Sequence, residues 1–328
     1  MKIKCKKRGK KIMMIFGIIL GVIVSINIVG FIVNTIFFKD ELKSIEPYGQ
    51  MVEVDGKKMH VFSMGSSKST IVLLPGWGTA LPSADFAPLM RKLSKDYTVV
   101  CIEYFGVGFS DQTDAPRTNE NYTKEIRTAL SGAGFHAPYI LMPHSVSGIY
   151  SEYYAAKYPD EVSAIVMLDT TSTAAIPEGN APSIIYSISK LSQSCGLTRI
   201  TIPLVPETKL IKNGYIEKEI TDYKKFGYHL INDTMINQSS LLLDNIKEVN
   251  KLKFPTDIPV LKIISEQTLN GMAKKNKDDG MGYQNAHLAR LGNNATYKVL
   301  KGTTHYIHQT HADEIAEITK TFINNVKK

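Results

Sequence analysis

The sequence predicts an α/β protein: a mostly parallel sheet flanked by helices, interrupted by a helical insertion and preceded by a transmembrane helix. Three observations carry this. Short apolar runs at 69–74, 97–104, 139–142, 162–168, 259–265 and 296–300 alternate with helical patterns at 86–93, 123–133, 149–157 and 312–325, the signature of parallel strands joined by crossover helices. Between about 170 and 250 the alternation stops, and prolines (Pro177, Pro182, Pro203, Pro206) and apolar helical stretches such as 184–191 and 236–249 take over. Residues 12–38 form a 27-residue run without a charged side chain, long enough at about 1.5 Å per residue to exceed a hydrocarbon core of about 30 Å.

Charge supports the same layout. Seven of the net +8 charges lie in residues 1–11, which leaves the rest of the chain near +1. Nucleic-acid binding is therefore not expected. A basic tail (1–11), an anchor (12–38) and a polar stalk (39–50) precede the main domain (51–328, with the insertion at about 170–250). The basic flank should stay cytoplasmic, so the domain is expected outside the cytoplasm. Secretion after signal cleavage is the alternative, although a cleaved signal has a shorter apolar core and a small-residue cleavage site. Gly17 and Gly21 stand four apart within the apolar run, a spacing that chance explains as well as helix pairing does. Of three cysteines, Cys5 precedes the anchor, while Cys101 and Cys195 follow it. An outward domain permits a Cys101 to Cys195 bridge, but a buried strand thiol is the simpler expectation for Cys101.

Within the main domain, residues 51–64 alternate around Asp55-Gly56, a strong hairpin signal. The central feature is Tyr-Ile-Leu-Met-Pro-His-Ser-Val-Ser-Gly-Ile-Tyr at 139–150. A buried strand ends there, and small residues open a helix, so Ser145 sits at a sharp bend in front of a helix N-terminus with free N–H groups. Before it, 74–77 reads Leu-Pro-Gly-Trp and 105–111 reads Phe-Gly-Val-Gly-Phe-Ser-Asp; after it, 302–305 reads Gly-Thr-Thr-His just before the last helix. The two glycines of 105–111 lack dinucleotide-site spacing, so no cofactor is inferred.

Taken in chain order, these motifs resemble the α/β-hydrolase superfamily over about 52–326, and the resemblance implies that the insertion at about 170–250 is a helical cap over the active site. Pro143-His144-Ser145-Val146-Ser147 resembles the nucleophile elbow Gly-x-Ser-x-Gly with both glycines replaced, and Pro75 stands where that family usually has His. The resemblance implies Ser145 as nucleophile, His305 as general base, and the backbone N–H groups of Trp77 and Val146 as the oxyanion hole. For the triad acid, Glu266 is the first candidate, at the end of the strand read at 260–265. Asp169 at the preceding strand end is the rival, followed by Asp278 and Asp279 in a polar loop read at 274–282. His308 and His311 lack the companions of a metal site, and none is expected. The implied activity is cofactor-free cleavage of carboxylic esters through an acyl-enzyme, on a small-molecule or lipid-like acyl substrate. Acyl transfer or peptide cleavage on the same fold, or a non-catalytic binding module, are the alternatives. Serine at the elbow argues against relatives that use an Asp nucleophile there.

Overall fold

The computed structural model describes residues 2–176, 179, 183–201 and 207–326. Eight strands, β1 (Gln50–Val54), β2 (Lys57–Met64), β3 (Thr70–Leu74), β4 (Thr98–Ile102), β5 (Tyr139–Pro143), β6 (Val162–Leu168), β7 (Val260–Ser265) and β8 (Ala295–Leu300), form one sheet. Its order is β1-β2-β4-β3-β5-β6-β7-β8. From β4 to β8 all pairings are parallel, and β1 and β2 add an antiparallel edge. The β1–β2 hairpin turns on Asp55 (φ 50°) and Gly56 (φ 75°), the two left-handed residues that a type I′ turn requires.

β3, β4, β5 and β7 are buried along their whole length, as strands covered on both faces must be. One face packs Tyr122, Ile126 and Leu130 of the helix Asn119–Gly132 and Ile149, Tyr150 and Tyr153 of the helix Ser147–Lys157. The other packs Phe86, Leu89, Met90 and Leu93 with Ile315 and Ile323 of the last helix, Ala312–Val326. Each such side chain contributes roughly 1.5–3 kcal/mol of burial. The sheet thus holds its strand ends in fixed register, and the site is built on them.

The cap inserts between β6 and β7 as Ser183–Ser194, Thr198–Thr201, Glu207–Lys212, Glu217–Gly227 and Asp233–Lys251. Pro177, Pro182, Pro203 and Pro206 lie outside the described residues. Polar contacts join cap to core: Thr113 N–H donates to Thr234 Oγ1 (2.8 Å), and Asn245 Nδ2 donates to the Arg117 carbonyl (2.9 Å).

The helix Lys2–Phe37 ahead of the domain is long and apolar enough to cross a membrane. The segment read as a stalk makes contacts with the cap. Glu41 accepts from Arg199 and lies 2.6 Å from His229 Nε2, Ile45 is buried, and Tyr48 Oη donates to Asp222 Oδ2 at 2.8 Å. One expectation needs correction, and the one for Cys101 holds. The polar loop read at 274–282 is shorter than that, a turn at 277–280 between the helices Glu266–Asn276 and Met281–Leu291. Cys101 and Cys195 are both free and buried, with no bridge between them; burial raises the Cys101 thiol well above its ordinary range.

Candidate active site

The carboxyl ends of β3, β5, β6 and β7 converge on Ser145, where ligands of such sheets bind. His144 N–H donates to the Leu74 carbonyl (2.9 Å), Ser145 N–H to the Leu168 carbonyl (3.2 Å), and Asp169 N–H to the Ile263 carbonyl (2.7 Å). These bonds carry the sheet one step past its strands. Ser145 adopts φ 55°, a costly backbone for a non-glycine residue that the surrounding pairing imposes. Gly148 lets the following helix approach, because a Cβ there would lie 2.6 Å from Thr170 Cβ, beside Asp169. Ser147, fully buried, takes the place of the second elbow glycine. Its hydroxyl donates to the Pro75 carbonyl and lies 2.9 Å from Tyr104 Oη.

His305 Nε2 lies 2.9 Å from Ser145 Oγ, and His305 Nδ1 lies 2.7 Å from Asp169 Oδ2. Asp169 also accepts from Ser265 N–H (2.7 Å), Ser265 Oγ (2.9 Å) and Thr268 Oγ1 (2.7 Å). With four donors on a buried carboxylate, its orientation toward the imidazole is fixed. Glu266, the first candidate for the acid, is placed elsewhere. β7 runs directly into a helix whose N-cap is Ser265, with Thr268 N–H donating to Ser265 Oγ at 3.0 Å. That abrupt start turns Glu266 aside, and its carboxylate accepts from Gly302 N–H (2.9 Å). Asp278 and Asp279 accept from Gly280 and Met281 N–H at the next helix start, with no bond to His305 among the described residues.

Trp77 and Val146 present backbone N–H groups that have no hydrogen-bond partner among the described residues. A Cβ at Gly76 would lie 2.7 Å from His144 Nδ1 and 3.0 Å from Ser145 Cβ. The Pro75–Trp77 loop can therefore lie against the elbow only with glycine there. A cavity of about 300 Å³ opens over Ser145 and His305, lined also by Trp77, Val146, Tyr186, Leu242 and Tyr306. The Trp77 ring is held from the cap, since Nε1 donates to the Met235 carbonyl (3.3 Å) and the ring meets Tyr186 edge-on. A second cavity of similar volume, lined by Leu210, Tyr215, Ile220 and Tyr223, shares Tyr306 as a wall.

Two histidines beside the site have structural work. His308 is buried on Phe86, with Nε2 2.6 Å from Asp85 Oδ2, which pins the turn carrying His305. His311 Nδ1 meets Thr310 Oγ1 (2.8 Å). Among the described residues no three His, Cys, Asp or Glu gather as a metal site. His144 is fully buried, and burial holds it well below the usual histidine range, with His308 and His305 adding to the effect. Burial likewise holds His287 low against the pull of Glu152, 2.7 Å away. Both histidines stay neutral in the folded chain and protonate when it unfolds. Stability linked to them is complete above about pH 6.5 and falls below it, by up to about 1.4 kcal/mol per pH unit for each. Tm should decline between about pH 6.5 and 5, less steeply in His144→Gln; a flat or rising profile would contradict this assignment.

The family model for the alpha/beta hydrolase fold matches residues 69–192, and the chain is an α/β-hydrolase-fold protein. Along nearly its whole length it is similar to Bacillus subtilis YbdG, 28% identical over 337 residues, covering 98% of this chain and all of that protein. Over a shorter span it is 37% identical to the 2-(acetamidomethylene)succinate hydrolase of Mesorhizobium japonicum (98 residues, 29% of this chain and 34% of that one). The crystal structure of a bacterial membrane phospholipase A, described as a virulence factor, superposes with a TM-score of 0.58 at 14% identity, over 96% of this chain and 99% of that chain. That last likeness is one of fold.

Proposed function

We propose that the protein is a membrane-anchored serine hydrolase that cleaves carboxylic esters through an acyl-enzyme. The observation that carries this is the relay from Ser145 through His305 to Asp169, with two N–H groups beside the serine. His305 Nε2 takes the Ser145 proton as Oγ attacks the acyl carbon. The carbonyl oxygen becomes an oxyanion facing the Trp77 and Val146 N–H groups, where one donor is worth about 3 kcal/mol of barrier. His305 then returns the proton to the departing alkoxide, and water repeats the cycle on the acyl group. Asp169 replaces Glu266 as the proposed acid, holding the imidazole with Nδ1 protonated.

The apolar walls around Ser145 and the second cavity behind Tyr306 support an extended acyl chain as substrate. The basic flank ahead of the apolar helix supports a single-pass anchor with the domain on the outer face. Labelling the full-length, detergent-purified protein with a fluorophosphonate tests the core of this reading. One adduct per chain is expected on the wild type and none on Ser145→Ala. A folded wild type that takes up no label would overturn it.

A further inference from the structure

The cap helix Ser183–Ser194 has two unlike sides. At 100° per residue, Tyr186, Lys190 and Gln193 share the inner side, and each is engaged. Tyr186 Oη meets Ser239 Oγ, Lys190 Nζ lies 2.6 Å from Asp233 Oδ1, and Gln193 Oε1 accepts from Ile231 N–H (2.8 Å). The opposite side carries Ile185, Ile188 and Leu191, which are 51%, 58% and 64% exposed, and Ile200 just beyond is 68% exposed. Side chains of this size are seldom left clustered in water without a partner.

The N-terminal helix decides what that partner is. The carbonyl of Cys195 occupies the space where a side chain at Gly30 would stand, so the end of the cap helix rests directly on the apolar helix. Asn34 Nδ2 donates to the Ser194 carbonyl (3.3 Å) and Asn34 Oδ1 accepts from Arg199 Nε (2.8 Å). The Arg199 guanidinium lies 4.0 Å from the Phe38 ring and also holds Glu41. Gly30 is eight residues, or about 12 Å, inside the end of the uncharged run at Phe38. That run is about 40 Å long against a core of about 30 Å, so even if all the excess protrudes on the cap side, Gly30 sits at the hydrocarbon boundary.

From this we infer that the outer side of the cap helix, Ile185, Ile188 and Leu191 with Ile200, lies in the outer surface of the lipid bilayer that the N-terminal helix crosses. The same helix then has bilayer on one side and, through Tyr186, the active-site cavity on the other. The inference rests on the anchor reading and is independent of catalysis.

Trp77 is the only native tryptophan, which makes quenching by brominated phospholipids a direct test on the full chain in vesicles. Ile188→Trp probes the cap side, Ile19→Trp the apolar helix, and Tyr297→Trp the exposed outer edge of the sheet, with wild type as the Trp77 baseline. The expected result is that Ile188→Trp emits at shorter wavelength and is quenched by chains brominated near the headgroup, that Ile19→Trp is quenched, and that Tyr297→Trp is not. Quenching of Ile19→Trp alone leaves the anchor standing and overturns the cap contact. Absence of quenching at both positions overturns the two together. A blue shift at Ile188→Trp without quenching points to a protein partner and also overturns the inference.

Discussion

Asp169→Asn is expected to lower kcat by about 10⁴-fold, while Glu266→Gln stays within a few-fold of wild type. The asparagine keeps the shape but gives Nδ1 of His305 a neutral partner, so the imidazole loses both the preferred tautomer and the charge that stabilises it when protonated. Ser265 and Thr268 would also donate to a weaker acceptor. The Glu266 carboxylate bonds only a turn N–H at Gly302 among the described residues, so its amide should cost about 0.5–1.5 kcal/mol of stability and little rate. Ester turnover by both variants, with Tm as the check on folding, decides the matter. The opposite ranking would transfer the acid's role to Glu266.

Arg117→Ala is expected to cost about 3–5 kcal/mol of stability, a large part of the total for a domain of this kind. The Arg117 side chain is fully buried, makes two parallel bonds of 2.7 Å to Glu125, and lies 4.1 Å from the Tyr122 ring. Removing it strands the carboxylate of Glu125, a residue 2% exposed, without a counter-charge. The double change Arg117→Met with Glu125→Leu should recover most of the loss, because an apolar pair leaves no charge unsatisfied. Thermal unfolding of the three proteins gives the comparison. A mild single variant would mean that water reaches the pair.

The parts of this molecule that depend on local pattern were legible in its sequence. Alternating apolar runs gave six of the strands, Asp55-Gly56 gave the hairpin, and the bend at Ser145 with the Gly302–His305 turn named the two residues that the structure brings to 2.9 Å. The acid was not legible. Asp169 and Glu266 each follow the end of a strand, and those strands are neighbours in the sheet, with Leu168 opposite Ile263. Which carboxylate reaches the histidine depends on how the chain leaves β7. The cue was present in Ser265-Glu266-Gln267-Thr268, which has a capping serine and an acidic first turn, the signature of a helix start. Without that helix start, the direction of the Glu266 side chain is left open. The buried Asp85–His308 pair was hidden for another reason: its members are 223 residues apart, and nothing local to either announces the other.

Ser147 shows what the elbow demands of its neighbours. Among the described elbow residues only Ser145 has a left-handed backbone, so the position two residues later needs no glycine for its conformation and asks only for small volume. A serine meets that demand, and its hydroxyl reaches the Pro75 carbonyl, on the loop that presents the Trp77 N–H. The two N–H groups facing the cavity thus belong to segments tied together by one side chain. In mechanical terms the strand-end loop and the elbow form a single clamp, so thermal motion should carry both donors in the same direction and preserve their spacing. Two glycines would supply the same geometry without that tether.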